Sequence, residues 1–586
     1  MLEKWSLDHH VVGMDSTLSR SFTDELSRRI LETLDPHRVL FTQDELKSLA
    51  KLAPGAWEEV IKKKSCKQFT SWVEARVSAA KERLYEHLGV QKFDIKKISS
   101  TIVDSSESKF KNYHTTAATV AELKERWTRL YDEILKSAYP KLMESYGNNL
   151  EAYVTDSVQQ ILEHKMPPGD MLAKAMLRSV DEYSNFLSSE EYADFYDDLA
   201  GGTSGIGIKI RKTPKGLLIE KVLEDSPAEK SKKIQPGDQV LSVDRQKVAK
   251  LPLNETKNLL KGKPGASVSL LIERTEKTHS LQFTVKLKRQ RFNFDEGKVE
   301  VSERADGTIL VATVPSFYGR GSDPGAEDDH SVSEDLEREL KKHLKKKTPK
   351  AILVDLRDNP GGYLEEAVDM AGLFIGNKTV AGVMERNSRR VFKNEYQAPL
   401  FDGALVVLLD SGSASAAEVF AGAMKDHQRA LLIGSPTTYG KGTVQRLYHV
   451  ENELPLMDLT GQMLTGVIKL TTSVFYSPLG HSPANGGVKT HVALLPESLA
   501  GEHPKHKSLA AIDFDVTPFL SEPEVESLKH IEKEHRPLLE ALRAESRSRI
   551  AVDKELDEKE ALAEAVTLAG SWSTLLQRSS VAARAE

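Results

Sequence analysis

Apolar residues recur at three- and four-residue spacing through long charged segments of the first 200 residues, as in FTSWVEARVSAAKERLYEHL (69–88) and AELKERWTRLYDEILKSAYPKLMESY (121–146). That period predicts amphipathic helices. After MPPGD (166–170) and a glycine-containing passage, the pattern shortens to β-type runs, GIGIKI, GLLIEKVL, DQVLSVD and SVSLLIER, with one short helical segment, LNETKNLLKG. A compact β module over 201–290 is expected. From 291 to 500 apolar strands alternate with amphipathic helices: TILVATVPSF, SEDLERELKKHLKKK, AILVDLRDNPGG, EEAVDMAGLFI, ALVVLLD, AAEVFAGAMKDH and RALLIGSP. Alternation of this kind predicts a layered α/β core. Residues 501–586 turn charged and helical again, and no fixed-period repeat is present. The fold class expected is multidomain α+β.

Length agrees with that division, because 586 residues exceed what one hydrophobic core organises. Apolar residues make up 39% and charged residues 29%, and no run approaches the roughly 20 apolar residues that cross a bilayer. An integral membrane segment is therefore not expected. A net charge of -6, from 81 basic and 87 acidic side chains, gives no electrostatic reason to expect a nucleic-acid partner. Cys66 is the single cysteine, which excludes an intrachain disulfide and a cysteine-based zinc site. The opening MLEKWSLDHHVVG lacks the basic and apolar regions of a secretory signal, so the chain reads as cytosolic or as a form whose export signal has been trimmed. The lysines of KKHLKKK (341–347) read as the solvated end of a surface helix. Histidines in LDHH and EHPKHK lack the i,i+4 spacing beside an acid that metal binding asks for, so no metal is expected.

Candidate chemistry concentrates in the α/β segment. SGSASAAEVF (411–420) places Ser415 where a buried strand ends and a helix begins, so that free N–H groups and the helix dipole face an anion formed beside it. A turn that merely requires small residues is the competing explanation. In TTYGKGTVQ, Lys441 stands between two glycines; if desolvated, its amine loses its proton and can act as a base toward a serine hydroxyl. A phosphate-loop fragment or a plain turn is the alternative, although the full phosphate-loop spacing is absent. The pair Gly361 and Gly362 in DLRDNPGG lets a backbone N–H approach a substrate carbonyl, unless it serves only as a strand-to-helix loop. Gln445, four residues beyond Lys441, is placed to hold the amine.

SASAAEVFAGAMKDHQRALLIGSP followed by YGKGTVQ, with DLRDNPGGYLEEAVDMAGLFI upstream, resembles the tail-specific, or carboxyl-terminal processing, serine protease family. GIGIKI and DSPAEKSKKIQPGDQVLSVD resemble its PDZ domain, and LDPHRVLFTQDEL and NFLSSEEYADF its longer periplasmic branch with helical extensions. The resemblance implies a helical N-terminal domain (1–200), a PDZ domain (201–290), a crotonase-like α/β protease core (291–500) and a helical C-terminal domain (501–586). It implies Ser415 as nucleophile, Lys441 as general base, Gln445 as its orienting partner, and an oxyanion hole from Gly361 or Gly362 with Ala416. Glu418, Asp426 and Thr438 fall on supporting positions. The loop before Lys441 is one residue longer than the family's, and the extra residue is expected to bulge outward.

For the PDZ module the resemblance implies that Gly205, Ile206, Gly207 and Ile208 capture a terminal carboxylate. Leu259 and Leu260 would then face an apolar tail. Partners implied are protein substrates with apolar C-termini, with room for an adaptor protein or self-association. No cofactor is implied, and the location is periplasmic or otherwise exported. Two rivals remain: a non-catalytic PDZ scaffold, which would have a broken dyad, and a crotonase-type acyl-CoA enzyme, which would need neither the β module nor the serine.

Overall fold

The computed structural model describes residues 168–585 apart from short intervals, the longest being 320–330, 451–464, 495–514 and 551–555, together with parts of 26–45, 71–87 and 116–129. LDHH and EHPKHK lie outside the described residues, as does much of the N-terminal helical expectation. In chain order the elements are α1 (Pro168–Val180), β1 (Asn185–Leu187), α2 (Ser189–Leu199), β2 (Gly202–Gly205), β3 (Ile208–Thr213), β4 (Gly216–Val222), α3 (Pro227–Ser231), β5 (Gln239–Val243), β6 (Gln246–Lys247), α4 (Leu253–Leu260), β7 (Ser267–Glu276), β8 (His279–Lys288) and β9 (Gln290–Asn293). They continue with β10 (Glu300–Arg304), β11 (Ile309–Thr313), α5 (Val332–Leu344), β12 (Ala351–Asp355), α6 (Leu364–Ile375), β13 (Thr379–Glu385), β14 (Ser388–Lys393), β15 (Ala404–Leu409), α7 (Ala416–Asp426), β16 (Ala430–Gly434), β17 (Thr443–His449), β18 (Val467–Tyr476), β19 (Val492–Ala493), α8 (Glu522–Arg549) and α9 (Glu558–Ala585).

The central sheet runs β10-β11-β12-β15-β16-β19, parallel from β11 onward. Strands β12, β15 and β16 are buried on both faces, and the alternation of side chains divides them. Ile352, Val354, Leu405, Val407 and Leu432 pack with α5, α6 and α7. Leu353, Val406, Leu408, Leu431 and Ile433 point the other way and pack with Leu542 of α8 and Leu568, Ala569 and Trp572 of α9. This explains the continuous apolar runs AILVD and ALVVLL, which a sheet covered on one face would not show. The C-terminal helices thus share a core with the sheet.

A second, antiparallel sheet has the order β1-β18-β13-β14, with β17 also on β18. Its strand β1 lies inside a stretch that reads as helical from sequence. NFL is too short to show a period, and it becomes a strand because β18 offers it an edge, Phe186 opposite Ile468. The β module has strands β3-β4-β5-β7-β8 with β6 on β5, around a core that includes Leu217, Ile219, Val240, Leu270 and Ile272. The pair β2 and β9 joins its entrance to its exit. No helix among the described residues is long and apolar enough to cross a membrane.

Candidate active site

Three loops leave the carboxyl ends of neighbouring parallel strands β12, β15 and β16, the end at which open α/β sheets place their sites. The first carries Gly361 and Gly362, the second Ser415 and the third Thr438 and Lys441.

The β15 loop is held by Asp410, whose carboxylate accepts from the N–H groups of Gly412 and Ser413, each at 2.9 Å, and of Asp358 at 3.0 Å. Ser413 is fully buried, with its hydroxyl 2.8 Å from the carbonyl oxygen of Leu356 and accepting from Asp410 N–H at 2.9 Å. It is a structural serine. Ser415, by contrast, is partly exposed and adopts φ 55 and ψ -115. A non-glycine residue there costs about 1–3 kcal/mol and persists only where the surroundings impose it. The turn swings directly into α7, whose first residue, Ala416, has no acceptor for its N–H among the described backbone hydrogen bonds.

Gly361 fits against this turn: a Cβ added to it would lie 2.7 Å from Ser415 Cβ and 2.9 Å from Ala416 N, and its φ is +98. Its N–H donates to Asn359 Oδ1 at 2.8 Å, while Asn359 Nδ2 donates to Val314 O at 2.8 Å. Since Asn359 engages the N–H of Gly361, Gly362 is the residue of the pair whose N–H has no acceptor among the described residues. Gly362 in turn lies so close to Phe317 that a Cβ would sit 2.2 Å from its carbonyl oxygen.

Glu418, fully buried on the first turn of α7, ties the loops together. Its Oε2 accepts from the N–H of Ser415 and from the N–H of Lys441, both at 2.8 Å, so those nitrogens are no farther apart than twice that distance. Its Oε1 accepts from Thr438 Oγ1 at 2.5 Å and Gly440 N–H at 2.7 Å, and Thr438 Oγ1 accepts from Val488 N–H at 2.8 Å. Burial pushes the carboxyl up to about 7, the four donors opposing that rise. Between buried Thr438 and Gly440, Tyr439 is 40% exposed, where an outward bulge was expected.

Burial lowers the Lys441 amine to about 8, with the charge of Lys469 acting in the same direction and Glu418 and Asp181 against it. The amine stands 5.5 Å from the centre of the Tyr183 ring. Gln445 is turned elsewhere than its spacing suggests. A register shift between Val444 and Gln445 brings it opposite Thr471, and its Nε2 donates to Thr443 Oγ1 at 2.8 Å and Thr471 Oγ1 at 3.3 Å. Thr471 Oγ1 then reaches Asp181 Oδ1 at 3.0 Å.

Asp426 does not join the site, contrary to the sequence reading. It ends α7, roughly 15 Å along the axis from its first turn. There its buried carboxylate accepts from Leu479 N–H at 2.8 Å and anchors the following loop. In the β module Gly205, Ile206 and Gly207 are buried at the turn into β3, with Ile206 O accepting from Ala228 N–H and Gly207 O from Leu223 N–H. Leu260 packs inside the module core, leaving Leu259 and Ile208 at its margin. Sequence reasoning missed Asp181, Tyr183, Lys469 and Thr471. The only local signal was the Asp181–Ser184 spacing, a side-chain-capped turn in which Asp181 accepts from Tyr183 and Ser184 N–H at 2.6 and 2.8 Å.

Residues 309–494 match the Peptidase family S41, residues 197–273 a PDZ domain, and residues 9–190 the tail specific protease N-terminal domain. The chain is 31% identical over 388 residues to the tail-specific protease of Haemophilus influenzae, covering 65% of this chain and 53% of that one. It is 29% identical over 449 residues to the carboxy-terminal processing protease CtpA of Bacillus subtilis, covering 75% and 86%. The chain thus spans only about half the length of the Haemophilus relative. Among solved structures, the photosystem II D1 C-terminal processing protease aligns over 63% of this chain and 94% of its own, at 21% identity and a TM-score of 0.31.

Proposed function

The chain belongs to the tail-specific, or carboxyl-terminal processing, protease family, and from that premise we propose that it is a serine endopeptidase working through Ser415 and Lys441. The observation that carries the reading is the shared oxygen of Glu418, which fixes the backbones of both residues from one point. The neutral amine of Lys441 takes the hydroxyl proton as Ser415 Oγ bonds to the scissile carbonyl carbon. The resulting oxyanion is received by the N–H groups of Gly362 and Ala416, and each such donor is worth about 2.7–4 kcal/mol in comparable sites. Collapse expels the amine of the leaving peptide, which takes the proton back from Lys441. Water then hydrolyses the acyl-enzyme by the same steps in reverse order. Gln445, Thr443 and Thr471 hold the strand beneath the base.

The β module recruits the substrate: an extended C-terminal tail adds to its edge, the Gly205–Ile208 backbone receives the terminal carboxylate, and Leu259 meets an apolar end. The protein acts outside the cytoplasm, which fractionation of cells producing it checks. The purified chain should cleave an unfolded protein ending in apolar residues, whereas Ser415→Ala and Lys441→Ala should not. Equal cleavage by all three removes the dyad, and no cleavage by any leaves the PDZ scaffold.

A further inference from the structure

Lys469 is a second partly buried amine, on β18 of the antiparallel sheet, whose neighbour β17 begins two residues after Lys441. It is two residues from Thr471 on β18, so both project from one face, and the pairs Gln445 with Thr471 and Leu447 with Lys469 put that face beside Gln445. On its other edge Lys469 pairs with Asn185 of β1, directly after the turn that carries Asp181 and Tyr183. Its Nζ lies 5.3 Å from the centre of the Phe195 ring on α2, an arrangement that favours the charged form.

No carboxylate among the described residues makes an ion pair with Lys469. The charge of opposite sign that acts on it, Asp181, already accepts from Tyr183 N–H, Ser184 N–H, Ser184 Oγ and Thr471 Oγ1. An ammonium withdrawn from water with no ion-pair partner among the described residues is costly. Asp181, from the turn after α1, acts on both lysines, Arg178 of α1 acts on Lys469 and Glu418 of α7 on Lys441, while the rings of Phe195 and Tyr183 lie against Lys469 and Lys441, and Tyr183 itself is influenced by Glu182 and Tyr439.

We propose that Lys469 is a positioning residue for the proposed Ser415–Lys441 chemistry, a fixed cation whose charge opposes protonation of the Lys441 amine. Two bases sharing one low-dielectric region do not both hold a proton readily. Asp181 favours the charged form of both amines, and the Phe195 ring beside Lys469 favours its ammonium. The inference rests on the dyad reading above.

The test is the rate at which a fluorophosphonate labels the full-length chain as a function of pH. Ser415 Oγ bonds to phosphorus, the P–F bond breaks, fluoride leaves, and the hydroxyl proton passes to Lys441, so the rising limb reports that amine. Lys469→Met should move the limb upward by about one pH unit, a roughly tenfold slower labelling at neutral pH with an unchanged alkaline plateau. Lys469→Arg should restore the original limb, and Lys469→Gln repeats the measurement if the methionine variant does not fold. A limb unmoved in the neutral variants, a loss equal at all pH values, or an arginine variant shifted as far as the neutral ones overturns the inference. Ser415→Ala and Lys441→Ala run beside them: labelling that survives in these sinks the dyad itself, whereas labelling lost in both with Lys469→Met unshifted sinks the role of Lys469 alone.

Discussion

Ser415 and Lys441, 26 positions apart in the chain, both donate their backbone N–H to a single oxygen of Glu418, each at 2.8 Å. The carboxylate also receives Thr438 and Gly440 on its other oxygen, so four donors converge on an acceptor that has none to offer. Glu418→Gln replaces one oxygen with an amide that presents its own hydrogens to two of them. Two buried donors then go unpaired, at about 1–3 kcal/mol each. The variant should unfold at lower denaturant concentration and label with fluorophosphonate at least about tenfold more slowly. A variant matching the parent in both would show that Glu418 does not organise the site.

The amine must be neutral to accept a proton, and burial lowers it to about 8. Cleavage and labelling should therefore rise with pH through about 8 and level off above it. Stability follows with a defined sign. Because the folded-state value lies below the ordinary lysine value, the folded chain binds fewer protons at this group between the two, and its contribution to stability grows with pH across that window and is lost as pH falls through about 8. Lys441→Met should abolish labelling and yet raise the unfolding free energy at neutral pH by about 1–2 kcal/mol, because it removes a buried charge that has no ion-pair partner among the described residues. A melting temperature lower than the parent's would count against a desolvated amine.

Gly361→Ala tests the contact between the glycine loop and the strained serine. The added methyl would lie 2.7 Å from Ser415 Cβ and 2.8 Å from Ala414 O on a backbone at φ +98, so the loop or the serine turn has to move. A shift of that size would displace Ala416 N–H from the proposed oxyanion position and should lower labelling about a hundredfold. Retained labelling would mean that the two loops move independently.

The strand-to-helix turn with Ser415, the glycine pair and the isolated lysine were legible because each departs from what its element would choose on its own. Glu418 was legible as an acid at a helix start, though its four donors come from loops that only the fold brings together. Asp181, Thr471 and Lys469 left no comparable trace: they meet because β1 pairs with β18 across almost 300 residues of chain, and a three-residue strand carries no period. The same holds for Gln445, whose spacing from Lys441 suggests a contact that a register shift redirects to Thr471. The C-terminal region read only as charged and helical because α8 is polar along most of its length, and the apolar stripe of α9 does not announce which sheet it covers.

That covering helix also bears on the site. Arg357, which pairs with Asp355 at the end of β12, donates from Nη1 to the carbonyl oxygen of Glu558 at 2.7 Å, so the first turn of α9 is fastened to the loop that leads to Asn359 and Gly361. Farther along, Trp572 is 3% exposed against the back of the central sheet, and its Nε1–H has no hydrogen-bond acceptor among the described residues. Trp572→Ala should destabilise the chain by about 3–5 kcal/mol, while Trp572→Phe should cost far less because no hydrogen bond is lost. Ending the chain before residue 558 removes the α9 part of the apolar cover and the anchor of Arg357. Such a chain should aggregate or unfold at temperatures the intact protein withstands, and any soluble fraction should label slowly at every pH, because its glycine loop is loosened while the environment of Lys441 is unchanged. A truncated chain with full stability and full labelling would show that the sheet is closed by other means.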